Sequence, residues 1–242
     1  MGGTTPRLDH ADATKGRNMT GTGQRDRRKA ASTRRSTRNR PTDNQLLDAA
    51  CAVMAEMGVD RATMDIIARR ADTSRVTLYA HFGSRDALVH AVIERELDKL
   101  TTWMFEIYDQ GETMHYGQRA RYSIESLFDY ARRHPRGFRV LLDNRYADTH
   151  PGRRLSAALE PRIAEELRAN YAERGTPIGS GADTLATMLL GISLDVAYRA
   201  VIVDGSDIDA ACDLAVTASL AVLRAVAPDQ LRALDSTHTR NL

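Results

Sequence analysis

The sequence predicts an all-α protein, and three observations carry that reading. Apolar residues recur at the 3.6-residue helical spacing from about Thr42 to about Ala227. Alanine and leucine are plentiful while aromatic residues are only 5% of the chain, a composition that leans helical. No pair of segments alternates convincingly as paired strands, and no internal repeat is present. With 242 residues there is enough chain for one to two domains and a sizeable core.

Residues 1–40 stand apart. They are rich in Gly, Ser, Thr and Arg and hold almost no large apolar side chains. Such a segment buries too little surface to offset its ordering entropy, so a disordered arm is expected. Met19, within it, is an alternative start. The arm carries 11 Lys/Arg against 3 Asp, net +8, whereas the other 202 residues carry 23 basic and 29 acidic side chains, net −6. The Arg27-Arg28 and Arg34-Arg35 pairs are followed by no apolar segment, so they do not read as an export signal, and Pro6 spoils the acylation pattern that Gly2 suggests. No apolar run approaches the roughly 20 residues needed to span a bilayer. The expected compartment is the cytoplasm, with no membrane partner. Cys51 and Cys212 lack metal-type spacing and read as reduced thiols on helices, so neither a metal nor a cofactor is expected.

The first helix starts near Thr42, presents Leu46, Ala50, Val53, Met54 and Met57 on one face, and closes at Gly58. Thr63 caps the next helix through its side-chain oxygen, with Asp65 in the first turn favoured by the helix dipole. Ala71-Asp72-Thr73 is a short helix-to-helix turn, a geometry that Asp tolerates better than most residues. Ser74 then caps Arg75 to Phe82, and Gly83 ends that helix. From Ser84 a long helix runs to about Tyr108, with Leu88, Val92, Leu97, Leu100, Met104 and Ile107 in register. At 1.5 Å per residue it is a rod about 37 Å long. Gly111 to Gly117 is a break. Ala120, Ile124, Leu127, Phe128 and Ala131 mark the next helix, which stops before Pro135. A short helix covers Pro135 to Leu142, and a loop is expected around His150-Pro151-Gly152. Leu155, Leu159, Ile163, Leu167 and Tyr171 mark another helix, ended by Gly175 and Pro177. The last two helices cover about 182–203 and 207–227, leaving 228–242 as a tail.

The helix Arg75–Phe82 has a layout that points to a function. Leu78 and Phe82 form one inward stripe. Thr73, Val76, Thr77 and Ala80, all small, lie on the opposite side, flanked by Arg75 and Tyr79 on one edge and His81 on the other. Such a helix approaches another surface closely. The DNA major groove admits one α-helix, and its edges are read by Arg, Ser/Thr and apolar methyl contacts. An ordinary amphipathic hairpin with a solvated outer face has the same pattern, so both readings stand at this point. Residues 41–100 hold 7 Lys/Arg against 10 Asp/Glu. If the hairpin reads DNA, attraction to phosphates falls to the local cluster Arg69, Arg70, Arg75 and Arg85, with the basic arm either adding phosphate contact or serving as a solubilising tail or a start-site misassignment.

The final pair of helices is unusually apolar and small-sided. Ala211, Ala215, Ala218, Val222 and Ala225 recur on one, and Leu185, Met188, Leu189, Ile192, Val196 and Val203 crowd the other. That is more apolar surface than one covering layer requires, which predicts a homodimer through a four-helix interface of these two segments, the alternative being a monomer core.

Taken together, these residues resemble the tetracycline-repressor (TetR) family of bacterial transcriptional regulators. The resemblance is carried by LLDAACAVMAEMG at 46–58, TMDIIARRADTS at 63–74 and RVTLYAHFGSRDAL at 75–88. Within it, Leu78-Tyr79-x-His81-Phe82 followed by Ser84-Arg85-Asp86-x-Leu88 is specific as a set. Looser echoes continue through His134-Pro135-x-x-Phe138-Arg139 and the helix containing Gly191, so the resemblance covers about 42–227. It implies a three-helix helix-turn-helix DNA-binding domain over 41–88 and a helical ligand-binding and dimerisation domain over 89–227. It further implies a repressor released from a palindromic double-stranded DNA operator by a small-molecule effector. By the same resemblance Thr63 contacts phosphate. Ser74, Arg75, Val76 and Thr77 face base edges or the adjacent backbone, and Tyr79, His81 and Arg85 contact phosphates. The chain departs from the family pattern at Asp72, where Gly is usual, at Thr73 in place of Val, and at Met54 in place of Phe.

Trp103, Tyr108, Tyr122, Phe138, Tyr146 and Tyr198 combine apolar area with polar edges and are candidate lining residues of the implied pocket, the alternative being that they fill the core. Asp195 and Arg199, four apart, read as an intrahelical pair. The seven histidines are scattered, and no Ser-His-acid set, Gly-rich phosphate loop or HExxH motif is present. No enzymatic activity is expected. A helical enzyme and a protein-interaction module whose hairpin does not read DNA are the alternatives.

Overall fold

The computed structural model describes residues 41–143 and 151–235, and among these it forms ten α-helices, one π-helical turn and no strand. They are α1 (Asp43–Met57), α2 (Met64–Arg70), α3 (Arg75–Phe82), α4 (Arg85–Gln110), α5 (Tyr116–Arg133), α6 (Pro135–Leu142), α7 (Pro151–Glu173), α8 (Gly181–Tyr198) with its π-helical continuation Arg199–Asp204, α9 (Ile208–Ala225) and α10 (Pro228–Arg232). The fold is all-α, as expected. The readings made for the arm 1–40, for Met19 and for Tyr146 lie outside the described residues.

The first four helices begin where a hydroxyl side chain takes up an orphan backbone N–H. Thr42 and Gln45 form a reciprocal capping box on α1, at 3.3 and 2.9 Å. Thr63, Ser74 and Ser84 each accept from the N–H three residues on, at 3.4, 3.1 and 3.0 Å. These caps are local chemistry, which is why the starts of α1 to α4 fall where the sequence puts them.

Three apolar clusters hold the helices together. One joins α1, α2 and α3 to the start of α4 through Leu46, Ala50, Ile67, Leu78, Leu88 and Val92, all fully buried, and it takes in Val140 from α6. A second gathers the rest of α4, from Leu97 to Tyr108, with α5, α6, α7, α8 and α9. A third packs α7 against α8 and the chain's last described turn. Both α4 and α6 thus contribute to the first two clusters.

Three expectations are corrected. The loop expected around Pro151-Gly152 is the first turn of α7, and Pro there loses nothing because the N–H it lacks has no intrahelical partner anyway. The expected tail is ordered as far as residue 235: Leu231 is buried in the third cluster, and Asp235 Oδ1 accepts from Ser180 N at 2.6 Å. Finally, α8 and its π turn make a continuous 24-residue helix, Gly181–Asp204, long and apolar enough to cross a membrane by length and composition. Polar residues interrupt the apolar run in sequence, and helical continuity joins its pieces. Leu185, Leu190, Leu194 and Ala197 of this helix are buried in the clusters. Arg199 pairs with Asp204 across the π turn, at 2.7 Å.

Where α6 crosses α4, Gly137 lies against the buried carboxylate of Glu96, and a Cβ on it would clash with Glu96 Oε2. Glu96 is held by Arg95 and Lys99 and cannot swing away freely. Gly137→Ala is therefore expected to lower stability by about 1–3 kcal/mol, as overpacking does. Urea unfolding followed by far-UV circular dichroism measures this.

Candidate nucleic-acid interface and interior cavity

The turn between α2 and α3 fixes how α3 is presented. Thr73 N donates to Ala68 O at 2.9 Å and Asp72 N to Arg69 O at 3.3 Å, the paired bonds of a Schellman ending. Its left-handed position is occupied by Asp72, with φ +49°. Asp is among the few non-glycine residues that adopt this region at modest cost. Asp72 is thus accommodated at a position where glycine would be unstrained.

Only Leu78 of α3 is fully buried, and it anchors the helix on the first cluster. The outer face is open: Val76 is 78% and Tyr79 49% exposed. Ser74 and Thr77 hydroxyls bond each other at 2.9 Å beside Val76. Arg75 Nε lies 3.0 Å from Asp65 of α2, with both side chains largely exposed, so the pair orients the guanidinium without burying it. Thr63 is exposed at the start of α2, its oxygen engaged in the cap. Thr63, Ser74, Arg75, Val76, Thr77 and Tyr79 are therefore accessible at or beside one surface.

His81 and Arg85 are more committed. His81 Nδ1 is 2.5 Å from Asp43 of α1. Arg85 donates from Nε to Ala62 O at 3.0 Å and from Nη2 to the Val59 carbonyl and, at 3.4 Å, to Asp60 O. It thereby closes the α1–α2 connection. Arg70 forms a bidentate pair with Glu56, and the guanidinium hydrogen bonds hold the Glu56 carboxyl below its ordinary range. Arg69 is exposed and has no ion pair among the described residues. Of the four local cations, three are engaged by groups that only folding brings to them: Arg70 by Glu56, Arg75 by Asp65 and Arg85 by backbone carbonyls. The signal available was the nearby acidic residues themselves.

Below this unit, a cavity of about 80 Å³ opens between α4, α5, α7, α8 and α9. Its apolar wall includes Met104, Leu127, Ile163 and Leu190, and its polar wall includes Tyr116, Arg119, Ser123, Glu166 and Ser219. Burial keeps the Tyr108 and Tyr116 phenols protonated and pushes the Glu166 carboxyl up, against the pull of Arg119 and Arg162. Of the aromatic residues expected to line a pocket, Tyr108 does so. Trp103 instead donates to Ser126 O at 3.2 Å, under the Arg133 guanidinium. Tyr122 donates to Gln110 at 2.7 Å, Tyr198 donates to Asp143 at 2.9 Å, and Phe138 is fully buried in the second cluster.

A third surface is apolar and uncovered. Met188 of α8 is 45%, Val203 58% and Leu214 of α9 64% exposed, with the small residues Ala221 and Ala225 further along α9.

Residues 46–92 match the model of the family described as bacterial regulatory proteins, tetR family. The chain is 32% identical over 146 residues to the HTH-type transcriptional activator FasR of Mycolicibacterium smegmatis, a match spanning 59% of this chain and 60% of that protein. It is similar to the crystal structure of a TetR-like transcriptional regulator from Rhodococcus sp. RHA1, at 27% identity and a TM-score of 0.60, covering 76% of this chain and 96% of that one. The fold is also that of SmeT, the repressor of the Stenotrophomonas maltophilia multidrug efflux pump SmeDEF, at 24% identity and a TM-score of 0.60, covering 75% and 90% of the two chains.

The left-handed turn gives a direct test. Asp72→Gly is expected to leave stability within about 1 kcal/mol of the parent, whereas Asp72→Val, β-branched in a region that excludes it, should lose about 1–2 kcal/mol in thermal unfolding.

Proposed function

The chain belongs to the TetR family of bacterial regulatory proteins, and on that premise we propose that it is a homodimeric transcriptional regulator that reads a palindromic DNA site and responds to a small molecule. The observation that carries this reading is the open outer face of α3, where Val76 and Tyr79 stand exposed while Leu78, with Phe82 beside it, ties the helix to its core. In the proposed complex α3 enters the major groove. Ser74, Arg75, Val76 and Thr77 meet base edges or the adjacent backbone, and Thr63, Tyr79, His81 and Arg85 meet phosphates. The last two keep their internal partners and contribute through their exposed edges. The basic arm supplies further phosphate contact.

Two recognition helices bind together only if a dimer spaces them by about 34–36 Å, one turn of DNA. The exposed apolar residues of α8, its π-helical turn and α9 are the proposed dimer surface, because large apolar side chains left exposed on neighbouring helices mark association sites. The effector is proposed to bind in the interior cavity and to favour the dimer whose reading heads are wrongly spaced. It acts only through unequal affinity for the two states. The simplest outcome is repression relieved by the effector. Activation is the second reading, favoured by the name of FasR. Cytoplasmic location follows from the proposed work on DNA.

Arg75→Ala/Tyr79→Ala should abolish salt-dependent binding to the DNA upstream of the protein's own gene, measured by fluorescence anisotropy, with unchanged thermal unfolding. Retained binding would remove α3 from the interface. Leu214→Glu should convert the dimer to monomer in sedimentation velocity and weaken DNA binding at least tenfold. A stable, DNA-competent dimer would move the interface elsewhere.

A further inference from the structure

We infer that the interior cavity selects an apolar molecule with an uncharged head group carrying both a hydrogen-bond donor and an acceptor, of which a primary carboxamide is the simplest. The inference rests on the cavity being the effector site proposed above, and it adds the chemical class.

Two buried polar atoms of the cavity's lining residues, Arg119 Nε and Ser219 Oγ, have no hydrogen-bond partner among the described residues, and a third, Glu166 Oε1, has only a long ion-pair contact with Arg162. Buried polar groups are ordinarily bonded, so a set of three at one cavity asks for an occupant. The demands differ in kind. Arg119 Nε only donates, an ionised Glu166 only accepts, and Ser219 does either. A head group that answers Arg119 and Glu166 at the outer end presents both an acceptor and a donor.

Charge narrows the class further. Arg119 Nη1 lies 3.5 Å from one Glu166 oxygen, and Arg162 Nε lies 3.5 Å from the other. Arg162 also reaches Asp109 at 3.1 Å and Glu112 at 3.3 Å. The site is already internally compensated. A carboxylate head would be set against Glu166, and an ammonium head against two guanidiniums. Either would bring an unpaired charge into a half-buried site, which is costly, whereas an uncharged head does not. The Arg119 and Glu166 side chains are 20% and 17% exposed, while Ser219 and Met104 are almost fully buried. The pair therefore marks the outer part of the cavity and the apolar wall its depth, so the ligand's tail points inward. A volume of about 80 Å³ holds several waters but lies below the roughly 300 Å³ of ordinary ligand pockets, so the helices part as the tail enters.

The test uses the full chain and three eight-carbon probes with one tail: octanamide, octanoate and octylammonium, titrated calorimetrically at neutral pH. Octanamide should bind at least tenfold more tightly than either charged probe. Ser123→Phe, which fills the cavity from α5, should abolish that binding. Glu166→Gln, which removes the negative charge and keeps the shape, should improve octanoate at least tenfold. A charged probe binding as tightly as octanamide would overturn the proposal. So would no binding by any probe, which leaves the orphan atoms to water, or binding undiminished by Ser123→Phe. DNA affinity measured in parallel separates this from the regulatory reading. Octanamide binding without change in DNA affinity sinks the reading and leaves the proposal. Release of DNA by octanoate alone does the reverse.

Discussion

Glu96 is 3% exposed, and its Oε1 accepts from Arg95 Nε at 3.0 Å, Arg95 Nη2 at 2.7 Å and Lys99 Nζ at 3.0 Å. Its other oxygen lies against Gly137 of α6. Arg95 continues to α1, where it meets Asp48 at 2.8 Å and the Asn44 carbonyl at 3.3 Å. One buried carboxylate thus fixes α1, α4 and α6 in a single arrangement. Such a pair is not by itself a large net stabiliser, but stripping a partner from a buried charge costs about 3–5 kcal/mol. The arrangement is specified because its alternatives leave that charge uncompensated.

This pin ties the first helices of the described fold to α6. The same helix α4 that carries Leu88 and Val92 in the cluster under α3 carries Met104 and Tyr108 at the cavity. At 26 residues it is a rod of about 39 Å. Packed interiors shift between discrete arrangements rather than deforming smoothly. In the proposed mechanism a ligand that parts α4 from α7 therefore moves the head as a body. The Glu96 contacts mean that α1 and α6 move with it.

Much of this was legible from local chemistry. Thr42, Thr63, Ser74 and Ser84 announce helix starts because a capping hydroxyl needs only residues three positions away. Leu78 and Val76 sort to opposite faces because the helical period alone decides it. Pro151 misled because proline reads as a break, yet at a first turn it removes an N–H that would have been idle. The cavity was not legible. Arg119, Glu166 and Ser219 lie on three helices far apart in the chain, and nothing local marks them as neighbours. The aromatic residues that drew attention instead mostly had partners nearby, such as Gln110 for Tyr122. For the same reason the engagement of Arg70 and Arg85 could not be counted from composition, since Glu56 and the Val59 carbonyl reach them through folding.

The central claim is that two copies of α3, held at a fixed separation by the dimer, read DNA together. Selection of bound sequences from a random DNA pool by the full chain tests it most directly. The account predicts enrichment of an inverted repeat with half-site centres about one helical turn apart, or a whole multiple of it. Enrichment of a single asymmetric site, or no enrichment at any salt concentration, would contradict it.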